Sequence, residues 1–332
     1  MIYDVALPAL RRLPPEKAHS LTLDMVRMLG RVKSPPPAPA TPFQLMGLSF
    51  SNRVGLAAGF DKNGVAVDGW FALGFGHVEV GTVTPQPQAG NPLPRVFRLI
   101  GHAGVINRMG FPNDGAERVA ARLRKRQAPG VVGVNIGKNA VTPLERAIDD
   151  YIACLRIVFT VADYVTVNVS SPNTAGLRSL QDVDHLVPLL SGVLEEARVL
   201  EKQHGRKVPL LVKLSPDMTA EELRRSGAAA ASVPVAGIIA TNTTLSRESV
   251  ADDPLSQEKG GLSGRPLFIK SCAAVRILRE AVGPTLPIIG VGGVSSAADA
   301  RLLHQSGANL VQLYTGMIYQ GTRLVRELVT AF

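Results

Sequence analysis

The chain has 332 residues, 45% hydrophobic and 19% charged, which is typical of a soluble protein with one large domain and a small appendage. Its two cysteines and six histidines lack CxxC, HExxH or related spacing, which argues against a disulfide framework or a metal site and favours a reducing compartment. The net charge of +9 is compatible with a nucleic acid or an anionic membrane as partner but selects neither.

Residues 1–30 show two short helical patterns, separated by Pro14 and Pro15. No uninterrupted apolar run approaches the ~18 residues that a membrane span needs, and no signal-peptide core is present. The segment therefore predicts an amphipathic hairpin that could lie on a membrane without crossing it. Two helices that simply pack on the main domain are the alternative. The apolar positions of the two faces are Tyr3, Leu7 and Leu10, then Ala18, Leu21, Met25 and either Met28 or Leu29.

A proline-rich run, PPPAPATP, occupies residues 35–42 and is typical of a stiff linker. It predicts a boundary near residue 40. We therefore expect a hairpin and linker over residues 1–40, followed by a catalytic domain over residues 41–332.

After the linker, short β-branched runs alternate with longer helical patterns. The runs predict strands at 54–58, 77–83, 131–136, 164–169, 208–214, 236–241, 286–291 and 309–315. Helices are predicted at 64–73, 114–127, 144–159, 182–202, 219–231, 267–281, 297–306 and 321–330. Eight such units predict an α/β fold of the (β/α)8 TIM-barrel type. A doubly wound open sheet is less favoured, because AAGFDKNG stands after the first strand instead of GxGxxG.

The ends of the predicted strands carry polar groups or glycines. In a TIM barrel these positions meet at the face that holds the active site. Each residue alone is an ordinary turn or cap, but their recurrence at every strand predicts one site. The set is Ala58, Gly59, Lys62, Thr82, Asn135, Asn168, Ser171, Lys213, Thr241, Asn242, Gly292, Gly293, Tyr314 and Thr315.

The last two units predict a phosphate site, because loops seven and eight of such barrels commonly bind phosphate through backbone N–H groups. The sequence there is GVGGVSS from Gly290, followed by Tyr314, Thr315 and Gly316. Lys213 closes an apolar strand, where a cation is normally retained for an anion or a developing negative charge. A phosphorylated ligand with an anionic reacting group is therefore expected.

Ten ordered motifs then carry a family resemblance: AAGFDKNG, EVGTVTPQPQAGNPLPRVFRL, INRMGFPNDG, VNIGKN, NVSSPNT, VKLSPD, TNTT, GGLSGRPL, GVGGV and LYTG. Together they resemble the dihydroorotate dehydrogenases of the quinone-linked class 2. The resemblance runs nearly end to end and includes the segment before the barrel. It implies FMN as cofactor, dihydroorotate and orotate as substrate and product, and a membrane quinone as electron acceptor.

The resemblance also implies residue roles. Expected FMN contacts are Ala58, Gly59, Lys62, Thr82, Asn135, Asn168, Lys213, Thr241, Gly264, Gly293, Tyr314 and Thr315. Expected substrate contacts are Lys62, Asn107, Arg108, Met109, Gly110, Phe111, Asn168, Asn173, Asn242 and Thr243. Amides suit the alternating donors and acceptors of a pyrimidinedione, and Lys62 suits its carboxylate.

Ser171 is implied to be the base that takes the C5 proton of dihydroorotate, and Thr174 is the candidate for relaying that proton. Serine at this position, together with the N-terminal hairpin, points to class 2, because class 1 relatives carry cysteine there and lack the hairpin. His19 and Arg98 match positions near the quinone head. Leu7, Leu10, Leu21 and Met25 are expected to line the quinone entrance.

The location implied is the cytoplasmic side of the cell inner membrane, with peripheral attachment through the hairpin and no nucleic acid as partner. Two other functions stay open. A flavin-free barrel isomerase or lyase would use the same phosphate site on a phosphorylated substrate. A basic scaffold that binds membrane or nucleic acid would explain the charge and the hairpin, but not the polar strand ends.

Overall fold

Eight parallel strands close into a barrel in the computed structural model, which describes residues 7–36 and 42–331. Tyr3 and the predicted boundary near residue 40 lie outside the described residues. The strands are β1 Phe43–Leu45, β2 Leu48–Phe50, β3 Val54–Leu56, β4 His77–Val83, β5 Val96–Leu99, β6 Gly104–Asn107, β7 Val131–Ile136, β8 Tyr164–Asn168, β9 Leu210–Leu214, β10 Gly237–Ala240, β11 Gly261–Gly264, β12 Ile288–Val291 and β13 Leu310–Leu313.

Helix α1, Pro15–Val32, precedes the barrel. The helices that follow the barrel strands and surround them are α2 Val67–Ala72, α3 Ala116–Leu123, α4 Ala147–Val158, α5 Val183–His204, α6 Ala220–Ser232, α7 Phe268–Val282, α8 Ala297–Gln305, α9 Thr315–Gln320 and α10 Thr322–Ala331. Residues 7–10 are also helical, so the described part of the N-terminal segment is helical on both sides of the prolines, as predicted.

The barrel order is β3, β4, β7, β8, β9, β10, β12 and β13, which then pairs with β3. Every predicted strand has a counterpart in this barrel, so the TIM-barrel prediction is confirmed. Helices cover the outer faces of the barrel strands, and the inner faces fill the barrel interior. Both faces are therefore buried, which is why the strands read as near-continuous apolar runs.

Two small sheets were not predicted. The β1–β2 hairpin precedes the barrel, and the fully buried Phe50 at its end packs in a cluster with Val131, Leu211 and Ile289 from barrel strands. The second sheet is antiparallel, in the order β5–β6–β11. Its strands come from the segments after β4 and after β10, and it carries Asn107 and Gly264.

Helix α1 packs against α2, the first helix of the barrel. Two glycines allow a close approach: a Cβ on Gly69 would lie 1.9 Å from the carbonyl oxygen of Val26, and one on Gly30 would lie 2.5 Å from the Gly69 nitrogen. The described part of the N-terminal segment is therefore docked on the barrel through backbone contact.

Candidate active site

The carboxyl ends of the barrel strands, together with β6 and β11, surround a cavity of about 970 Å³ that includes its open mouth. We call this space the active cavity. Most of the residues expected from the sequence form its wall: Ala58, Gly59, Lys62, Thr82, Asn107, Met109, Gly110, Phe111, Asn168, Ser171, Asn173, Lys213, Thr241, Asn242, Thr243, Gly264, Gly293, Tyr314 and Thr315.

Three expected residues lie off this wall. Asn135 is fully buried beside it, where its Oδ1 accepts hydrogen bonds from Thr82 (2.5 Å) and Asn168 (3.1 Å). Arg108 turns away to Glu258, at 2.6 Å. Thr174 lies outside the cavity lining, and its carbonyl oxygen accepts a hydrogen bond from the Leu177 backbone at 3.2 Å. Asn135 therefore supports the wall, and the cavity does not bring Arg108 or Thr174 to its surface.

A buried carboxylate lies beneath the cavity. Glu79 is fully buried and accepts hydrogen bonds from Asn135 (2.8 Å), from the Tyr164 hydroxyl (2.9 Å) and from Gln312 (2.9 Å). Such a carboxylate is tolerable in a barrel interior only because its oxygens are satisfied. Sequence reasoning missed it, although it lies in the EVGTVTP motif.

Lys213 is the cation that faces this carboxylate. Burial lowers the pKa of its ammonium, and the negative charge of Glu79 partly opposes that shift. Among the described residues its ammonium has no hydrogen-bond partner, although the side chain is 6% exposed and lines the cavity. A buried cation without a partner is costly, so this position suits a ligand that carries or develops negative charge.

The loop after β8 is held by its own side chains. The Oδ1 of Asn168 accepts from the backbone N–H (3.2 Å) and the hydroxyl (3.1 Å) of Ser170. The hydroxyl of Ser171 accepts from the backbone of Asn173 at 3.2 Å, and Tyr151 donates to the Asn168 carbonyl at 2.8 Å. Ser171 lies on the cavity wall and is only 4% exposed. Its hydrogen bond with Asn173 orients its hydroxyl.

Three amides meet on the same wall. Asn173 donates to the Oδ1 of Asn107 at 3.3 Å, and Asn242 donates to the hydroxyl of Ser170 at 3.1 Å. Each amide offers both donors and an acceptor, so the group can match a planar ring with alternating N–H and C=O edges.

Lys62 lies at the edge of the cavity and donates to the carbonyl of Gly59 at 2.7 Å. Burial lowers the pKa of its ammonium to about 8, while the nearby carboxylate of Glu16 opposes the shift and Arg95 adds to it. The preceding Asp61 points inward and accepts from the backbones of Val65 and Ala66. It therefore shapes the loop that presents Lys62.

The glycine-rich end of the cavity is formed by the loops after β12 and β13. Gly293 has a φ of 80°, and a Cβ there would lie 2.6 Å from the Cα of Phe268. Only glycine fits without displacing α7. Ser263, which sequence reasoning missed within GGLSGRPL, lies 2.8 Å from the hydroxyl of Thr315 and also lines this end.

A second cavity of about 700 Å³, including open space, lies between the N-terminal segment and the barrel. His19 and Arg98 both line it, as do Leu7 and Leu10. Leu21 and Met25, which were expected there, lie outside its lining, and Leu21 is 45% exposed. The helix turns them away because its inner face is formed by the buried Thr22 and Val26.

His19 is the strongly desolvated imidazole of the second cavity. Burial lowers the pKa of His19 to about 3, and the charge of Lys62 adds to the shift, so the imidazole is neutral near pH 7. Arg98 donates to the carbonyls of Leu10, at 3.4 Å, and Leu13. Lys62, Met109 and Tyr314 line both cavities, so these side chains separate the two spaces.

Residues 7–36 and 42–331 contain no group of three or more His, Cys, Asp or Glu side chains placed to hold a metal ion. Over the same residues, no helix is both long and apolar enough to cross a membrane.

Comparison with known proteins places these features in one family. The model of the family described as dihydroorotate dehydrogenase matches residues 42–331. A dihydroorotate dehydrogenase (quinone) of Chromobacterium violaceum is 49% identical, over 100% of this chain and 97% of its own length. One from Burkholderia pseudomallei is 50% identical, over 99% and 98% respectively.

Solved structures agree with the sequence comparisons. The dihydroorotate dehydrogenase of Eimeria tenella in complex with ferulenol superposes with a TM-score of 0.88 at 36% identity, covering 98% of this chain and 93% of that one. Its ligand-free form gives a TM-score of 0.89 at 38% identity, covering 96% and 93%. The chain therefore belongs to the dihydroorotate dehydrogenase family.

Proposed function

We propose that this chain oxidises dihydroorotate to orotate in pyrimidine biosynthesis and passes the electrons to a membrane quinone. The observation that carries the proposal is that Ser171, three asparagine amides and the ammonium of Lys213 line one cavity at the catalytic face of the barrel. Neither a flavin-free isomerase nor a binding scaffold accounts for the second cavity that adjoins it.

The donor set of the active cavity fits FMN. Among the described residues, the buried ammonium of Lys213 has no hydrogen-bond partner, and neither has a buried acceptor, the Oε1 of Gln312. Bound there, FMN would supply a two-electron acceptor for the hydride from C6 of dihydroorotate and a donor of those electrons to quinone. The residues that would hold it are Ala58, Gly59, Lys62, Thr82, Asn168, Lys213, Thr241, Gly264, Gly293, Tyr314 and Thr315, with Asn135 behind them.

The substrate is held by charge and by amide pairing. The ammonium of Lys62 would pair with the carboxylate, while Asn107, Asn173 and Asn242 would match the pyrimidinedione edges. The segment Met109–Phe111, with Asn168 and Thr243, completes the enclosure. Arg108 contributes through its backbone, because its guanidinium is bonded to Glu258.

Ser171 acts as the base. Its oxygen removes the proton from C5 while C6 loses a hydride, so the C5–C6 single bond becomes double and orotate forms. A serine hydroxyl is a weak base, and it must lose a proton of its own as it gains the one from C5. Thr174, through an ordered water, is the proposed route for that proton.

The second cavity is the proposed quinone site, with His19 and Arg98 beside the quinone head. Quinone gains two electrons and two protons there and leaves as quinol. We assign residues 1–40 to quinone access and peripheral attachment at the cytoplasmic side of the inner membrane, and residues 41–332 to the catalytic barrel.

One spectroscopic experiment tests this function. The purified protein is expected to be yellow, to bleach when dihydroorotate is added without oxygen, and to regain its colour when a short-chain ubiquinone analogue follows. A colourless protein, or a flavin that dihydroorotate leaves oxidised, would contradict the proposal.

A further inference from the structure

An ion pair joins the first turn of α1 to the residue that immediately precedes strand β5. The Oε1 of Glu16 accepts from the Nε (3.1 Å) and pairs with the Nη2 (3.0 Å) of Arg95. The two side chains are only 14% (Arg95) and 32% (Glu16) exposed, so solvent screens the pair less than a surface pair. Two guanidinium nitrogens on one carboxylate also fix its direction.

On its other side, the guanidinium of Arg95 hydrogen-bonds to the turn formed by residues 89–91. Its Nη1 donates to the carbonyls of Ala89 (2.7 Å) and Asn91 (2.9 Å), and the backbone carbonyl of Arg95 accepts from Arg108 at 2.9 Å. A lysine could keep the charge, but it lacks the planar fork that reaches the carboxylate and two carbonyls together.

The turn 89–91 is hydrogen-bonded to two segments that we propose bind the substrate. Asn91 donates through its backbone to the carbonyl of Met109 (2.9 Å) and through its side chain to the carbonyls of Arg108 (2.9 Å) and Asn173 (3.4 Å). Met109 and Asn173 both line the active cavity. A continuous set of hydrogen bonds therefore runs from α1 to the catalytic loop.

Both ends of this network border a ligand space. Glu16 lines the second cavity, and Met109 lines both. A molecule bound in the second cavity would contact α1 directly. Because Glu16 belongs to α1, such a molecule would also affect the position of Glu16.

We propose that Glu16 and Arg95 are positioning residues that couple the N-terminal cavity to the substrate site. Through them, the placement of α1 sets the turn 89–91 and hence the affinity for dihydroorotate and orotate. The inference rests on the proposed function. It goes beyond that function by stating that binding in one cavity changes the affinity of the other. Coupling of this kind is reciprocal: orotate must change the affinity of the second cavity by the same factor.

Binding of orotate to the oxidised holoenzyme tests the coupling without turnover. We expect Glu16→Gln and Arg95→Lys each to raise the orotate Kd about fivefold or more, with FMN content retained. The double variant should show no further loss, because both changes break one unit. Asp24→Asn is the matched control: it breaks an exposed ion pair on α1 (Arg27 Nη2 to Asp24 Oδ1, 2.9 Å) and lines neither cavity, so its orotate Kd should equal that of the wild type.

A second readout separates coupling from a general structural role. A short-chain ubiquinone analogue should tighten orotate binding to the wild type and leave the Kd of both variants unchanged. An unchanged orotate Kd in the two single variants, additive losses in the double variant, or loss of FMN from both would overturn the inference. Failure of the wild type to bind orotate would instead overturn the proposed function.

Discussion

Ser171 differs from an ordinary turn serine in its surroundings. It is 4% exposed yet on the wall of a cavity, and its oxygen already accepts a hydrogen bond from the backbone of Asn173. Because of that bond, the loop, and not solvent, sets the orientation of the Ser171 hydroxyl. A hydroxyl held in this way is suited to proton transfer at a fixed position.

If Ser171 is the base that we propose, replacing it by alanine should remove proton abstraction and little else. We expect turnover near pH 7 to fall roughly 100- to 10,000-fold, which is the usual contribution of a positioned acid or base. FMN content and orotate binding should be retained, because neither depends on the hydroxyl. Rapid-mixing measurement of flavin bleaching by dihydroorotate gives the rate. Undiminished bleaching would remove Ser171 from the mechanism, and Thr174→Val should cause a smaller loss.

Lys62 predicts a pH dependence of substrate binding. Its pKa is lowered to about 8 in the free protein, mainly by burial, so the ammonium is present below that pH and lost above it. Orotate affinity should therefore be constant from pH 6 to 7.5 and fall above about 8, by up to about tenfold per pH unit. Titration by calorimetry between pH 6 and 9 measures it.

Lys62→Arg is the control for this pH dependence, because arginine stays charged throughout the range. Its orotate Kd should be weaker than that of the wild type but flat with pH. A decline of the same steepness in both proteins would show that the ligand, and not Lys62, titrates.

At the scale of elements, the docking of α1 depends on glycine. The Cβ that Gly69→Ala introduces would lie 1.9 Å from the Val26 carbonyl oxygen, so α1 or α2 has to move. We expect the free energy of unfolding to fall by about 1–3 kcal/mol, as for other overpacked contacts. Urea unfolding measures the change. Gly101→Ala is the control, since its Cβ meets nothing within 4 Å. Equal stabilities for the two variants would contradict this view of the interface.

The barrel elements could be predicted closely from the sequence because each carries its own pattern. β4 and β7 have the predicted bounds of 77–83 and 131–136, and the other barrel strands differ by up to two residues at an end. The β5–β6–β11 sheet could not be predicted in this way. Its strands are short, and Gly261 pairs with Asn107, which lies far away in the sequence.

For the site, the sequence likewise predicted which residues lie near the cavity but not which of them reach its surface. Strand-end position correctly gathered Lys213, Asn168 and Thr241 on one cavity, because the carboxyl ends of parallel strands meet at one face. Strand-end position could not show that Asn135 lies behind the cavity wall. Alternation along a strand predicts which side of the sheet a residue is on, but not how deeply it is buried. The direction of the Arg108 side chain was equally beyond reach, since Glu258 comes from a distant loop.

For the whole molecule, the N-terminal segment combines exposed apolar side chains with basic charge. Leu13, Leu21, Met28 and Val32 are between 37% and 84% exposed, and Arg11, Arg12, Lys17 and Arg27 are exposed on the same segment. Exposed apolar groups beside basic ones are typical of a surface that lies on anionic lipid. Residues of this segment also line the second cavity, which we have proposed as the quinone site.

We therefore expect the full chain to bind vesicles that contain anionic phospholipid, and to bind them more weakly in 0.5 M salt, because salt screens the basic charges. Changing both Leu21 and Met28 to serine should cost about 2 kcal/mol of apolar transfer, which lowers the partition coefficient roughly 30-fold. Vesicle sedimentation measures it, and flavin bleaching by dihydroorotate should stay unchanged. Val199→Ser is the control, because Val199 is 52% exposed on α5, away from the N-terminal segment. If that variant loses as much binding as the double variant, attachment is not through α1.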